Sequence, residues 1–81
     1  MDSFNYCMDA LRALSADASL DPAGRSLAAE RVIRRYLEQA GSNIKKRQIM
    51  LSKLNSEIAV MEKVDGFWST VRDIIAQLRN P

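Results

Sequence analysis

The chain has 81 residues, of which 47% are hydrophobic, and twelve basic against ten acidic residues give it a net charge of +2. This length allows one domain, residues 1–81, and the composition fits a compact helical chain and not a disordered one. The single cysteine excludes an internal disulfide, and the lack of histidine argues against a structural metal. Regular helix packing or association is left to stabilise so small a chain.

Apolar residues at spacings of three and four predict a first helix at about residues 3–18. Its stripe consists of Phe4, Cys7, Met8, Leu11, Leu14 and Ala18. Asp2 or Ser3 is expected to cap its free amides, since both side chains are good N-cap acceptors.

The pair Asp21-Pro22 predicts the start of a second helix, at about 22–40, because a carboxylate caps free amides while proline fits the first turn. Gly24 weakens that turn by about 1 kcal/mol relative to alanine, so a later start at Ser26 is an alternative. The apolar side carries Ala29, Val32, Ile33, Tyr36, Leu37 and Ala40.

Gly41-Ser42-Asn43 predicts a stop followed by a third helix at about 43–79, with glycine in the left-handed conformation and Ser42 or Asn43 as the new N-cap. A long apolar row at heptad-like spacing, typical of coiled-coil-like packing, follows. The row consists of Ile44, Leu51, Leu54, Ile58, Met61, Val64, Trp68, Val71, Ile75 and Leu78.

Asp65-Gly66 interrupts this third segment and leaves two interpretations. A single helix of about 36 residues would be about 54 Å long, with or without a kink; alternatively, a short fourth helix packs back. The row resumes in phase after the glycine, which favours continuity or a kink. The sequence therefore predicts an all-α bundle of three helices, the third long and kinked or broken at this point.

Residues suited to catalysis are missing. There is no histidine to act as a general base, no tight carboxylate pair and no glycine-rich phosphate loop. Cys7 lies among apolar neighbours, where a thiol is inert. We therefore expect no enzyme, no cofactor, no metal and no small-molecule substrate.

The charges are unevenly distributed. Residues 25–53 carry eight basic side chains against Glu30 and Glu38, a net charge of +6, whereas residues 1–24 carry −3. Much of this fits a solvated helix face with i,i+4 ion pairs, but a nucleic-acid-binding accessory role is an alternative. The candidate polyanion contacts are Arg31, Arg35, Lys45, Lys46, Arg47 and Lys53.

The leading hypothesis is a non-enzymatic protein-protein interaction module: a small adaptor, a chaperone-like cofactor or an inhibitor. It would bind another protein or its own copies, as a homo-oligomer, through the third helix, and a structural subunit of a larger assembly has the same signature. Phe67 and Trp68 are neighbours, so one of them is expected to be peripheral. Either Trp68 continues the row while Phe67 fills the flank between helices, or residues 64–78 form an exposed apolar ridge that is available as a hot spot. The candidate interface is Leu51, Leu54, Ile58, Met61, Val64, Phe67, Trp68, Val71, Ile75 and Leu78.

The first residues contain neither a basic leader nor a long apolar run, and no window is apolar enough to span a membrane. We expect a cytoplasmic protein without membrane contact. The outline of a short helix, the Asp21-Pro22 turn and longer helices resembles small helical components of bacterial secretion systems, which implies a bacterial or phage helper protein. No motif in the chain carries a specific function across from them.

Overall fold

The computed structural model describes residues 3–61 and 66–79, and those residues form four packed helices with no strand among them. The helices are α1 (Ser3–Ala16), α2 (Pro22–Leu37), α3 (Ile44–Met61) and α4 (Gly66–Arg79). A short 3₁₀ turn, Glu38–Ala40, follows α2. The predicted all-α class is confirmed, and the predicted count of three helices is wrong.

Helix α1 ends at Ala16, two residues before the predicted boundary. The carboxylate of Asp17 accepts hydrogen bonds from the amide and the hydroxyl of Ser19, and these bonds lower the pKa of Asp17. This local turn replaces another helical turn. Arg25 reaches back from α2 and donates to the Asp17 carbonyl at 2.8 Å. The proposed cap by Asp2 lies outside the described residues.

Helix α2 begins at Pro22, as the Asp21-Pro22 pair predicts, and not at the alternative start, Ser26. The Asp21 carboxylate accepts a hydrogen bond from the Gly24 amide at 2.6 Å. A Cβ on Gly24 would come within 2.9 Å of that carboxylate oxygen. The glycine therefore permits the tight cap, which offsets its low helix propensity.

The chain turns between α2 and α3 at Gly41, which has φ 55° and ψ −126°. This is the first central position of a type II′ turn, and the Asn43 amide donates to the Ala40 carbonyl at 2.9 Å to close it. The glycine thus has the predicted positive φ but not the left-handed helical conformation. Asn43 caps α3 as predicted, because its side chain accepts from the Lys46 amide at 3.0 Å.

The predicted long third helix is two helices that form an antiparallel hairpin. Helix α3 ends at Met61 and α4 begins at Gly66. The Arg47 guanidinium, near the start of α3, donates to the Leu78 carbonyl, near the end of α4, at 2.7 Å. In one continuous helix these residues would be about 46 Å apart. The largest dimension of the molecule, 36 Å, is also too short for the rod that the sequence predicted.

Helix α2 lies at the centre of the bundle and contacts α1, α3 and α4, whereas α1 packs mainly against α2. Side chains from all four helices form one apolar core. Its most deeply buried large members are Trp68, Met8, Leu11, Ile33, Leu51, Leu54, Ile58 and Ile75.

Candidate protein-binding surface

The apolar row that the sequence offered as an interface lies in the core of the single chain. On α3, Leu51, Leu54 and Ile58 are buried, and Met61 packs partly buried against them. On α4, the buried members of the row are Phe67, Trp68, Val71, Ile75 and Leu78. Val64 lies outside the described residues. The row is covered by the other helices of its own chain, so any contact that it makes with a second chain stays a prediction.

Phe67 and Trp68 are both buried, with exposures of 6% and 1%, so the expectation that one of them is peripheral is wrong. Their rings meet edge to face, with centroids 5.3 Å apart. Because α4 packs against both α2 and α3, its buried arc is wide enough for adjacent residues. Ile74 and Ile75 share that arc in the same way.

Among the residues that the structure describes, five large apolar side chains are exposed, and none of them belongs to the predicted interface. Three lie on α3, where Ile44, Ile49 and Val60 point away from the core. Tyr6 on α1 is 64% exposed and Leu27 on α2 is 51% exposed. Four of them lie off the apolar stripes that the sequence predicted. Ile44 belongs to the predicted row, but it is the first residue of α3 and is 71% exposed, so its predicted place on the covered row is wrong. Single exposed apolar residues are normal, so a binding site also requires a cavity beside them.

Leu27 lines a cavity of about 540 Å³ between α2 and α4, whose lining includes the polar side chains of Glu30 and Asp73. Tyr6 lines a groove of about 360 Å³ between α1 and α2, whose lining is more apolar. We call it the α1–α2 groove. Its lining residues are Ser3, Tyr6, Cys7, Ala10, Val32, Arg35, Tyr36 and Gln39. The Ser3 hydroxyl donates to the Gln39 side-chain oxygen at 2.8 Å and joins α1 to the 3₁₀ turn that follows α2. The groove thus combines small and apolar side chains with one cation and one large, accessible aromatic ring.

Cys7 lies at the floor of the α1–α2 groove and is almost fully buried. Burial raises the pKa of its thiol to about 11, because an apolar environment disfavours the thiolate. The thiol is therefore protonated at neutral pH, as expected for a small buried hydrophobe. The one thiol in the groove is therefore not activated as a nucleophile.

The six candidate polyanion contacts do not share one role. Lys45 and Lys46 are exposed in the first turn of α3. Arg47 is half-buried and donates to α4, and the Lys53 ammonium lies 4.3 Å from the centre of the Phe4 ring. Two of the six cations therefore have structural partners within the chain.

Arg31 and Arg35 are the other two cations, exposed one turn apart on α2. Neither forms an ion pair with the residues that the structure describes. Arg34 on the same helix pairs with Glu30 at 3.4 Å, as the i,i+4 spacing predicted. Only Arg35 of the six candidates lines the α1–α2 groove.

Within residues 3–61 and 66–79, no group of three or more histidine, cysteine, aspartate or glutamate side chains is placed to hold a metal ion. None of the helices described there is long and apolar enough to cross a membrane. In comparisons with protein-family models, curated proteins and solved structures, nothing matches this chain.

Proposed function

We propose that this chain is a non-enzymatic helical module that binds another protein through the α1–α2 groove, as a small adaptor, a chaperone-like cofactor or an inhibitor. The exposure of Tyr6 above the groove carries the proposal. A tyrosine supplies a large contact area with few rotatable bonds, and tyrosines are enriched among the residues that dominate binding energy. We also propose that the protein is cytoplasmic, because the single cysteine of the chain is a free thiol, as is usual in a reducing compartment.

The proposal is tested by comparing two variants that each replace one exposed side chain with serine. Tyr6→Ser removes the ring from the groove, whereas Val60→Ser removes a 74% exposed side chain from the far face of α3. Neither change opens a cavity in the core, so both variants should melt within a few degrees of the wild type. Each immobilised protein is exposed to an extract of the native host, and the bound proteins are identified by mass spectrometry.

We expect one partner that is retained by the wild type and by Val60→Ser and is lost with Tyr6→Ser. Truncation of a hot-spot aromatic costs at least about 2 kcal/mol of binding energy, which is about a thirtyfold loss of affinity. A partner that binds Tyr6→Ser as well as the wild type would show that the groove is not the binding surface.

Self-association is a second proposal, favoured by the outer face of α3. Ile49 and Val60 are exposed there and lie eleven residues apart, which is three helical turns and places them on one stripe. A homo-oligomer, or a subunit of a larger assembly, would cover that stripe with a second copy. Sedimentation of the wild type beside Ile49→Lys tests it: the wild type should exceed the mass of one chain and the variant should not.

Nucleic-acid binding is the alternative favoured by the exposed cations Arg31, Arg35, Lys45 and Lys46. It predicts affinity for duplex or single-stranded DNA that falls steeply as salt rises, because condensed counterions are released. No shift of either probe at about 50 mM salt would contradict it.

A further inference from the structure

The two walls of the α1–α2 groove differ in charge. On the α2 side, Arg35 lines the groove and Arg31 precedes it by one turn, with no ion-pair partner for either among the described residues. On the α1 side, the lining consists of uncharged side chains such as Tyr6 and Ala10. One wall is therefore basic and the other is neutral.

The unpaired arginines contrast with their neighbours on the same two helices. Arg34 has Glu30 as a partner on α2, and Arg12 has Asp9 at 3.3 Å on α1. Arg31 and Arg35, in contrast, are like charges at an i,i+4 spacing, which destabilises a helix by a few tenths of a kcal/mol. A carboxylate placed between them would remove that repulsion.

The groove is long enough for a short stretch of helix. Its lining runs along α1 from Ser3 to Ala10, which is about 10 Å, or two helical turns. Its lining includes Ala10 and Val32, whose small side chains let an incoming backbone approach closely. Helices that dock in such grooves insert apolar residues at spacings of three and four and leave their flanks at the rim.

We infer that the α1–α2 groove binds an amphipathic helix of a partner protein, whose apolar stripe contacts Tyr6, Ala10 and Val32 and whose acidic flank faces Arg31 and Arg35. This inference rests on the proposed function and adds the conformation and charge of the partner segment. Rim ion pairs contribute modestly to affinity but fix orientation and speed association. The acidic flank therefore sets the direction in which the helix lies and reduces binding of basic helices.

The test uses a displayed library of amphipathic helical peptides about 18 residues long, which span about 27 Å. The apolar positions of the peptides are restricted to apolar residues and all other positions are randomised. The library is selected on the folded wild-type chain, and peptides that also bind Tyr6→Ser are removed. Affinities of the recovered peptides are then measured for the wild type, for Arg31→Glu/Arg35→Glu and for the control Lys45→Glu/Lys46→Glu, which changes the charge equally at residues outside the groove.

We expect aspartate and glutamate to be enriched along one flank of the selected peptides and lysine and arginine to be depleted there. Binding should weaken by about tenfold in Arg31→Glu/Arg35→Glu, since two attractive pairs become repulsive, and by less than twofold in the control. Raising the salt from about 50 to 500 mM should reduce the difference between these variants, because rim charges are screened.

Three results would overturn the inference, and they separate it from the proposed function. Peptides that need Tyr6 but show no acidic enrichment would leave the groove as a binding site and refute the acidic flank. Recovery of no peptide that depends on Tyr6 would refute both. A different occupant, shown by self-association in sedimentation that Tyr6→Ser abolishes or by equal competition from a duplex DNA probe, would replace the helical partner.

Discussion

Replacing Leu54 with alanine tests whether the apolar row is the core of the single chain. Leu54 is completely buried, at 0% exposure, in the middle of α3. The substitution removes three carbon atoms, which is about 2.4 kcal/mol of transfer free energy at about 0.8 kcal/mol each. The cavity left behind raises the expected loss of unfolding free energy to about 3–4 kcal/mol.

That loss is large for this molecule. A chain of this length is stabilised by about 4–12 kcal/mol in total. Each kcal/mol changes the melting temperature of a small domain by about 4–8 °C, so Leu54→Ala should melt at least about 12 °C below the wild type. Val60→Ala is the matched control on the same helix, and it should change the unfolding free energy by less than about 0.5 kcal/mol.

Urea titration followed by circular dichroism measures both variants, at a concentration where sedimentation gives the mass of one chain. The slope of unfolding free energy against urea should stay the same, since the amount of surface exposed on unfolding does not change. A loss below about 1 kcal/mol for Leu54→Ala, or an equal loss for Val60→Ala, would refute the packing described above. A loss that appears only at concentrations where chains associate would place the row between chains.

Three further predictions follow from the turns, the hairpin and the buried thiol. Gly41→Ala should lose about 1–3 kcal/mol of unfolding free energy, because φ 55° with ψ −126° is strained for alanine. Gly66→Ala is the control in the same urea titration. Its Cβ would meet nothing within 4 Å, so it should be neutral or stabilising. Arg47→Gln should increase hydrogen exchange in the last turn of α4, because the bond to the Leu78 carbonyl is lost; unchanged exchange there would contradict the hairpin closure. The pKa of the Cys7 thiol is about 11 in the fold against 9.0 in the reference thiol, so the unfolded chain loses this proton at a lower pH than the folded chain. The contribution of the thiol to stability should therefore be complete below about pH 9 and should fall between pH 9 and 11. A Cys7→Ala variant whose melting temperature falls equally over that range would contradict this.

The helix starts could be predicted because their signals are local. Asp21 and Asn43 accept hydrogen bonds from amides three residues later, and such caps depend on a few adjacent residues. The chain reversal between Met61 and Gly66 could not be predicted from periodicity. The apolar spacing on α4 continues that of α3 in phase, so one long helix and two antiparallel helices have the same pattern.

The candidate site was less accessible to sequence analysis than the fold. The α1–α2 groove joins Tyr6 and Ala10 of one helix to Val32 and Arg35 of the next, and only the packing of α1 on α2 brings them together. The sequence favoured an interface because a long third helix was expected to bury this row partly against the first two helices and partly against a second chain. Once α4 folds back, its own chain covers the described residues of that row from Leu51 onward, and apart from Ile44 the exposed large apolar side chains lie off the stripe.

The central position of α2 gives the two sides of the α1–α2 groove unequal mechanical support. Helix α2 is held by three neighbours and α1 mainly by one, so α1 can open at a lower free-energy cost than the rest of the bundle. The α2 wall of the groove is therefore held more firmly than the α1 wall. A guest too large for the groove would displace α1 and expose Met8 and Leu11, which are buried in the core that the other three helices share.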